Sequence, residues 1–448
     1  MSNGLFYLLG GIAIFLLLAD IVMMSRVRLA RAGNLVGIGA VLLATIATLS
    51  KYELWSSPWP LVALVIGLIL GLVGAYRVKM ISMPQTVAWL NGFGGLASAL
   101  VGWSEINAAG LFEHNAAMLA LSIGVLTFTG SAVAAGKLAG WLAQKPVVLP
   151  GHGIIAIVLL LAMLLGLVFN LPCLVLIASA LFGVAFSIRV GGADMPITIS
   201  LLNSLSGVAG GISGIAIGDP VLVCSGGVVG ASGLLLTQIM CHAMNRKLSN
   251  ILLPHGGTAV GSKAPEAAAA PSAVEQASRS EDELVSALRD AADVIIVPGY
   301  GMALAQAQGV VKQLADRFLE RGAKVRYAIH PVAGRMPGHM NVLLCEVDVP
   351  YEMLFELEAI NDDFKNCDVV IAVGANDTIN PAANTAEGTP IYGMPVLSVS
   401  DAKCVVVCNL DTRPGYAGVP NALYDHPKVT LLTGDAKESL NKLLKIIE

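Results

Sequence analysis

A pair of glycines follows a short apolar segment in the second half of the chain. Residues 293–308 read DVIIVPGYGMALAQAQ, so an apolar strand runs into Gly299-Tyr300-Gly301 and a helix-like run follows. Such a turn opens the βα unit of dinucleotide-binding domains, where glycine permits a tight turn and a close backbone approach to a pyrophosphate. Glycine-rich βα turns also occur in many other α/β proteins, so this turn alone does not identify a ligand.

The surrounding sequence departs from the usual NAD fingerprint. Leu304 occupies the position of the third glycine. The second predicted strand ends at His330-Pro331, whereas the usual pattern has a carboxylate there that binds the adenosine ribose.

Four further loops follow predicted strands and contain glycine, amide and charged residues. In a parallel sheet these loops share one edge, outside the carboxyl ends of the strands, where such sheets bind ligands. Singly, Arg335 could be a surface cation, Asn376-Asp377 a helix cap and Gly415 part of an ordinary turn; together the loops favour a binding site. The candidate cofactor-binding residues are Gly299, Tyr300, Gly301, Met302, Ala303, Val332, Ala333, Gly334, Arg335, Met336, Gly374, Ala375, Asn376, Asp377, Arg413, Gly415, Tyr416, Ala417, Gly418, Gly434, Asp435, Ala436 and Lys437.

These loops require a scaffold of alternating strands and helices. Apolar strands that alternate with helical runs indicate an α/β doubly wound, Rossmann-like parallel sheet. Strands are predicted at 293–299, 325–331, 368–374, 395–400, 404–409 and 429–435, and helices at 281–290, 303–320, 351–364 and 436–447.

The first 250 residues have a different character. They carry 17 charged residues, against 41 in the remaining 198, and the mean hydropathy of the whole chain is +0.73. A membrane-spanning helix needs about 20 apolar residues. We therefore expect a polytopic α-helical membrane domain with about nine spans, at 5–24, 34–50, 59–76, 84–103, 116–136, 154–170, 172–188, 196–217 and 220–244.

Loop charges predict the orientation of these spans. Ten Lys and Arg residues fall in loops on one side, and only Lys51 falls on the other. By the positive-inside rule the N-terminus lies outside and the C-terminal domain lies in the cytoplasm. We divide the chain into a membrane domain (1–250), a flexible linker rich in Ala, Gly, Ser and Pro (251–280) and a cytoplasmic nucleotide-binding domain (281–448).

Composition argues against several other classes of function. The seven cysteines form no CxxC motif, so we predict free thiols and no metal site. The net charge of −4 gives no reason to expect a nucleic-acid partner.

Taken as a set, the motifs resemble those of a known family. GYGMALAQAQ, HPVAGRMPGHMNVLL, GANDTINPAA and GYAGVPNAL, with GGADMPITISLLNSLSG and MCHAMNRKL in the membrane part, are similar to the beta subunit of the proton-translocating NAD(P) transhydrogenases. The resemblance covers nearly the full length.

The resemblance carries specific expectations. This chain would bind NADP(H), in an orientation reversed relative to most dinucleotide folds, and an alpha subunit would hold NAD(H). Asp377 would lie near the nicotinamide and take part in coupling, and Tyr416 with its loop would close over the cofactor. The complex would be a dimer of the assembled unit in the inner (plasma) membrane, surrounded by the lipid bilayer.

Two positions depart from the family pattern. Family members commonly carry Lys-Arg-Ser, which clamps the 2′-phosphate of NADP, where this chain has Asn409-Leu410-Asp411. Either Arg413 or Arg335 replaces those cations, or specificity relaxes toward NAD(H). Asn91 stands where some members have a membrane histidine; asparagine cannot titrate, so the partner would supply a protonatable group if the relay needs one.

Polar residues inside a membrane are costly and often functional. Asp194, Asn203 and Asn91 are therefore candidates for the proton path, together with Asp377 in the soluble domain. The alternatives are a cap at the cytoplasmic edge for Asp194 and a helix–helix hydrogen bond for Asn203. Of the other polar residues, Asp20 fits an interfacial position, and the outer-loop residues Glu105, Glu113 and His114 could line a proton entrance or be simply solvated.

Two rival functions remain open from sequence. One is a transporter or channel gated by a cytoplasmic dinucleotide-sensing domain, although no TVGYG-type filter is present. The other is a membrane dehydrogenase that reduces quinone, for which the cysteine pattern offers no iron–sulfur ligands.

Overall fold

The computed structural model describes residues 1–24, 29–79, 82–107, 110–143, 146–191, 194–243, 248, 281–334, 338–389, 391–415 and 417–447. The predicted linker lies outside these residues. The chain forms two compact units, Met1–Arg189 with Thr198–Leu236, and Val190–Ile197 with Thr237–Glu448.

Within residues 1–243, the described part of the chain forms nine long α-helices. Six of the helices are long and apolar enough to cross a membrane, and α6 and α7 are apolar but shorter, with 17 residues each. The helices are α1 (Asn3–Met24), α2 (Ala30–Lys51), α3 (Pro58–Arg77), α4 (Met83–Ser104), α5 (Leu111–Leu138), α6 (His152–Val168), α7 (Pro172–Ile188), α8 (Met195–Ala216) and α9 (Pro220–Ala243).

Glycines allow several of these helices to pack backbone against backbone. A β-carbon on Gly95 of α4 would lie 2.9 Å from the carbonyl oxygen of Gly124 of α5, and one on Gly226 of α9 would lie 2.2 Å from the nitrogen of Gly211 of α8. Close approach through small residues is typical of helix pairs in membranes, where no hydrophobic effect drives the association.

The C-terminal part is a six-stranded, fully parallel sheet with helices. Its strands are β1 (Asp293–Pro298), β2 (Lys324–Ile329), β3 (Leu354–Glu356), β4 (Val369–Val373), β5 (Cys404–Asn409) and β6 (Val429–Thr433), in the order β3-β2-β1-β4-β5-β6. The central strands β4 and β5 are buried along their whole length. This burial is typical of parallel sheets, because helices cover both of their faces. The helices are α10 (Glu281–Arg289), α11 (Tyr300–Leu304), α12 (Gln308–Glu320), α13 (His339–Glu346), α14 (Leu357–Ile360), α15 (Ala382–Thr385) and α16 (Ala436–Ile447).

The predicted doubly wound fold is confirmed, but three element predictions are wrong in detail. Residues 395–400 do not pair as a strand: Val396, Leu397 and Val399 are buried, and the Leu397 N–H donates to the carbonyl of Thr378 (2.9 Å). Their apolar character therefore reflects core packing. The predicted helix at 351–364 contains the short strand β3, and the predicted helix at 303–320 is interrupted at Gln306, whose φ is +51°.

Candidate functional site

The sheet order reverses between β1 and β4, and the glycine turn lies at this point. The Gly299 N–H donates to Val373 (2.8 Å) and the Gly301 N–H donates to the carbonyl of Gly374 (2.9 Å). A β-carbon on Gly299 would lie 2.2 Å from the Gly374 oxygen. The close approach that these glycines permit is therefore one between two turns of the protein, at the sheet edge where doubly wound folds bind ligands.

The loop after β4 is joined to the loop after β5 by a carboxylate. Oδ2 of Asp377 accepts a hydrogen bond from the Ala417 N–H (2.9 Å). A β-carbon on Gly415 would lie 2.6 Å from Oδ1 of Asp377 and 2.7 Å from Oδ2. Only glycine leaves room for the carboxylate here, so the Asp377 side chain contacts the loop after β5 at both Gly415 and Ala417.

Asparagine side chains add further ties between the same two loops. Nδ2 of Asn376 donates to the carbonyl of Arg413 (3.0 Å). Nδ2 of Asn421 donates to the backbone and side-chain oxygens of Asn376 (both 3.1 Å), and Nδ2 of Asn380 donates to Pro420 (3.1 Å). Residues 376–380 are therefore hydrogen-bonded to the loop after β5 at Arg413, Pro420 and Asn421.

Asn409 also belongs to this structure, which the sequence did not indicate. It is buried, and its Nδ2 donates to the carbonyl of Ala375 and to the Tyr424 hydroxyl, both at 2.7 Å. Burial raises the pKa of Tyr424. Asn409 thus joins the end of β5 to the turn after β4, and it acts as a positioning residue.

Arg413 has a fixed backbone and an exposed guanidinium. Its N–H donates to Oδ1 of Asp411 (3.0 Å), and its Nε lies 3.2 Å from Oδ2 of the same carboxylate. The Arg413 side chain is 85% exposed. Leu410 is also exposed. The Asp411 carboxylate thus holds the guanidinium at Nε, while the two terminal nitrogens extend into solvent.

The loop after β2 is built around a neutral histidine. Nε2 of His330 donates to the carbonyl of Pro395 (2.7 Å), because its Nδ1 accepts from the Val332 N–H (3.2 Å). Burial lowers the pKa of His330 to about 4, and the bond to Pro395 opposes that shift only partly. The His339 side chain packs against Gly334, whose φ is +103°. The centroid of the His339 ring lies 6.3 Å from that of the Tyr300 ring.

Other candidates of the nucleotide-binding set have structural roles. Met302, Ala303 and Ala333 are buried in the core. Asp435 caps α16 by accepting from the N–H groups of Lys437 (2.8 Å) and Glu438 (3.4 Å), beside Ala436, which is buried. Gly418 and Gly434 have left-handed φ angles of +69° and +128°. Arg335, Met336 and Tyr416 lie outside the described residues.

The membrane candidates lie on α4, on α8 and directly before α8. Asn91 is buried in α4, and its Nδ2 donates to the carbonyl of Ile199 in α8 (3.4 Å). Asn203 is half-buried one turn further along α8, and Asp194 directly precedes that helix. Asn91 therefore contacts α8 four residues before Asn203, whereas Asp194 lies at the beginning of that helix.

Comparison with known proteins agrees with this architecture. Residues 6–446 match the family described as the NAD(P) transhydrogenase beta subunit. Two relatives named NAD(P) transhydrogenase subunit beta, both from Rhodospirillum rubrum, are 40% identical over 474 aligned positions that cover 98% of this chain and 97% of the relative. The chain belongs to the NAD(P) transhydrogenase beta subunit family.

Proposed function

We propose that this chain is the NADP(H)-binding beta subunit of a proton pump. Hydride passes between NADP(H) on residues 281–448 and NAD(H) on an alpha subunit, and the transfer is coupled to proton translocation. The observation that carries the proposal is the Asp377 carboxylate, which binds the Ala417 N–H and lies against Gly415 at the sheet edge where the strand order reverses.

The residues at that sheet edge fit a dinucleotide. The turns at Gly299 and Gly374 lie at this edge, and Asn376 and Asp377 supply polar side chains. The Arg413 guanidinium pairs with Asp411 through Nε and is 85% exposed, so its terminal nitrogens can meet a phosphate. Arginine suits phosphate because its planar fork makes paired, charge-assisted hydrogen bonds. When bound, the nicotinamide supplies the hydride chemistry, and the protein supplies binding, orientation and electrostatics.

The assignment of one cofactor to each subunit follows from the number of nucleotide-binding folds. The described residues form a single parallel sheet with a single switch point. Direct hydride transfer needs two nicotinamides at about 3–3.5 Å. The second dinucleotide must therefore be bound by another chain, for which the alpha subunit implied by the family name is the candidate, and we expect a dimer of the assembled unit.

Coupling requires a group whose charge affects both cofactor binding and loop position. As a carboxylate, Asp377 accepts the Ala417 N–H and lies against Gly415. Protonation or a change in the charge of the bound nicotinamide would weaken that contact and release the loop after β5. In the membrane, Asn91, Asn203 and Asp194 are the residues that we assign to the proton path.

The membrane arrangement completes the proposal. We place the helices of residues 1–250 in the inner (plasma) membrane within the lipid bilayer, with the N-terminus outside and the nucleotide-binding domain in the cytoplasm, because basic residues concentrate in alternate loops. Moving one charge across 100 mV is worth about 2.3 kcal/mol, more than a tenfold change in the NADPH/NADP ratio.

Hydride exchange in reconstituted vesicles tests this assignment. We expect no exchange between NADPH and an NAD analogue with this chain alone, and robust exchange once the alpha subunit is added. Robust exchange by the chain alone would contradict the proposed division of the two cofactors. A nucleotide-gated channel or transporter would instead show ion flux that depends on nucleotide binding without any hydride exchange.

A further inference from the structure

Tyr424 lies in the core of the sheet domain, against the turn that follows β4. It is 7% exposed and belongs to one buried cluster with Ala375 and Ile379, which lie on either side of Asp377 in sequence. Protein cores are close-packed, so neighbouring side chains hold the aromatic ring in place. The position of the Tyr424 hydroxyl is therefore fixed independently of its hydrogen bonds.

The orientation of the Asn409 amide makes the Tyr424 hydroxyl an acceptor. Nδ2 of Asn409 lies 2.7 Å from the carbonyl oxygen of Ala375 and 2.7 Å from the hydroxyl oxygen of Tyr424. A carbonyl oxygen can only accept, and a rotated Asn409 amide would place two acceptors against each other at Ala375. The amide nitrogen therefore faces Ala375, and its second N–H donates to the hydroxyl.

A second asparagine connects the same hydroxyl to the loop after β5. Nδ2 of Asn421 donates to the backbone oxygen of Asn376 (3.1 Å), and its Oδ1 accepts from the Leu423 N–H (3.0 Å), so this amide also has a single orientation. The Asn421 side chain also forms a hydrogen bond with Tyr424. The hydroxyl thus contacts one side chain from the end of β5 and one from the loop after it, and both side chains also bind the turn after β4.

The surroundings of the hydroxyl favour its neutral form. Burial raises the pKa of Tyr424, and the hydrogen bonds with Asn409 and Asn421 oppose that rise in part. The Asp377 and Asp411 carboxylates raise the pKa further, so both lie within electrostatic range of the hydroxyl. Tyr424 is therefore a neutral hydrogen-bonding group beside the charged residues of the candidate site.

We propose that Tyr424 is a positioning residue of the nucleotide site: its hydroxyl joins the Asn409 and Asn421 side chains and so connects the turn after β4 to the loop after β5. The turn carries Asp377 and the loop carries Gly415, which are in contact. The proposal rests on the proposed function, because NADP(H) is the ligand assigned to these loops. Tyr424 acts on the cofactor through the loops and takes no part in hydride transfer.

Tyr424→Phe tests the proposal, because it removes the hydroxyl and keeps the ring. The buried N–H of Asn409 then lacks an acceptor, so the loops relax in the absence of cofactor and binding must order them again. Calorimetric titration of the full-length chain in lipid nanodiscs should show an NADP(H) affinity about tenfold lower than that of the wild type. In the complex with the alpha subunit, the KM for NADPH should rise by a similar factor. The kcat should stay within about twofold of the wild-type value, because bound cofactor restores the loops.

Two further variants complete the experiment. Tyr327→Phe is the matched control and should leave the affinity unchanged, because Tyr327 is fully buried and its hydroxyl has no hydrogen-bond partner among the residues that the structure describes. Adding Tyr424→Phe to Asn409→Ala should lower the affinity less than Tyr424→Phe does alone, because the shared hydrogen bond is already absent.

The outcomes separate this proposal from the proposed function. Wild-type NADP(H) affinity in Tyr424→Phe, even with a lower midpoint of thermal unfolding, would overturn the positioning role and leave the proposed function intact. A fall in kcat at unchanged KM would overturn it as well, because Tyr424 would then act on the chemical step. Absence of NADP(H) binding by the wild-type chain would contradict the proposed function, and the positioning role with it.

Discussion

The carboxylate of Asp377 accepts the N–H of Ala417 at 2.9 Å, across two loops that are 40 residues apart in sequence. The contact places an ionisable group between the turn after β4 and the segment after β5. A change of charge at Asp377 therefore changes the strength of its contacts with Gly415 and Ala417.

Gly415→Ala should weaken NADP(H) binding and hydride exchange by about tenfold or more, because an added β-carbon would lie 2.6 Å from Oδ1 of Asp377. The measurement is calorimetric titration together with exchange activity in the assembled complex. Gly309→Ala is the matched control, since nothing lies within 4 Å of a β-carbon there. Wild-type affinity in Gly415→Ala would show that the loop after β5 does not contribute to binding.

Asp377→Asn should impair coupled turnover much more than folding. The amide oxygen can still accept the Ala417 N–H, so the variant should fold, but this neutral acceptor binds the N–H more weakly than the carboxylate does and cannot change its charge. Proton pumping measured beside a thermal melt separates the two effects, with Asp362→Asn as a control at a side chain that is 98% exposed. Near-normal pumping by the folded variant would remove Asp377 from the mechanism.

Arg413→Ala should weaken NADP(H) binding by about 10- to 100-fold and barely change NAD(H) binding, because a hydrogen bond to a charged group contributes about 1.5–3 kcal/mol. Arg317→Ala, at a surface arginine paired with Glu320, is the control. Calorimetry with both cofactors decides the point. Equal losses of affinity for NADP(H) and NAD(H) would mean that Arg413 does not bind the 2′-phosphate. A preference of the wild-type chain for NAD(H) would mean that Asp411 makes the site specific for NAD(H).

His330 should make the chain less stable in mild acid. Its pKa is lowered to about 4 in the folded state, so the unfolded chain binds a proton first as the pH falls below the ordinary value of about 6.5. Stability contributed by the neutral ring is present at neutral pH and is lost between about pH 6.5 and about pH 4. The midpoint of thermal unfolding should depend less on pH across this range in His330→Gln than in the wild type. An unchanged pH profile would show that the pKa of His330 is not lowered by folding.

Much of the nucleotide-binding fold could be predicted because its signals are local. Five of the six strands lie within two residues of the predicted limits, since buried parallel strands are continuous apolar runs bounded by turns. The strand β3 could not be predicted because three residues, Leu354–Glu356, carry no detectable pattern. Residues 395–400 have a strand-like composition because they pack into the core without pairing.

Part of the site could be predicted from the order of strands and loops, but its connections could not. Sequence indicates which loops follow the carboxyl ends of strands, so Gly299, Gly374 and Asp377 are placed at one edge. The buried bonds of Asn409 and the neutral state of His330 depend on contacts with Ala375, Tyr424 and Pro395, which are distant in sequence. In the sequence alone, Asn409 therefore indicates only the loss of a cation.

Proton movement in vesicles that contain the alpha and beta subunits tests the central claim most directly. The vesicles are oriented with the nucleotide-binding domains facing the external medium, to which NADPH and an NAD analogue are added. Hydride exchange should then be accompanied by a pH change across the membrane. A proton ionophore should abolish that pH change while hydride exchange continues. Asp377→Asn should reduce the pH change. Full hydride exchange without any proton movement would contradict the account, because the chain would then be a transhydrogenase subunit that does not pump.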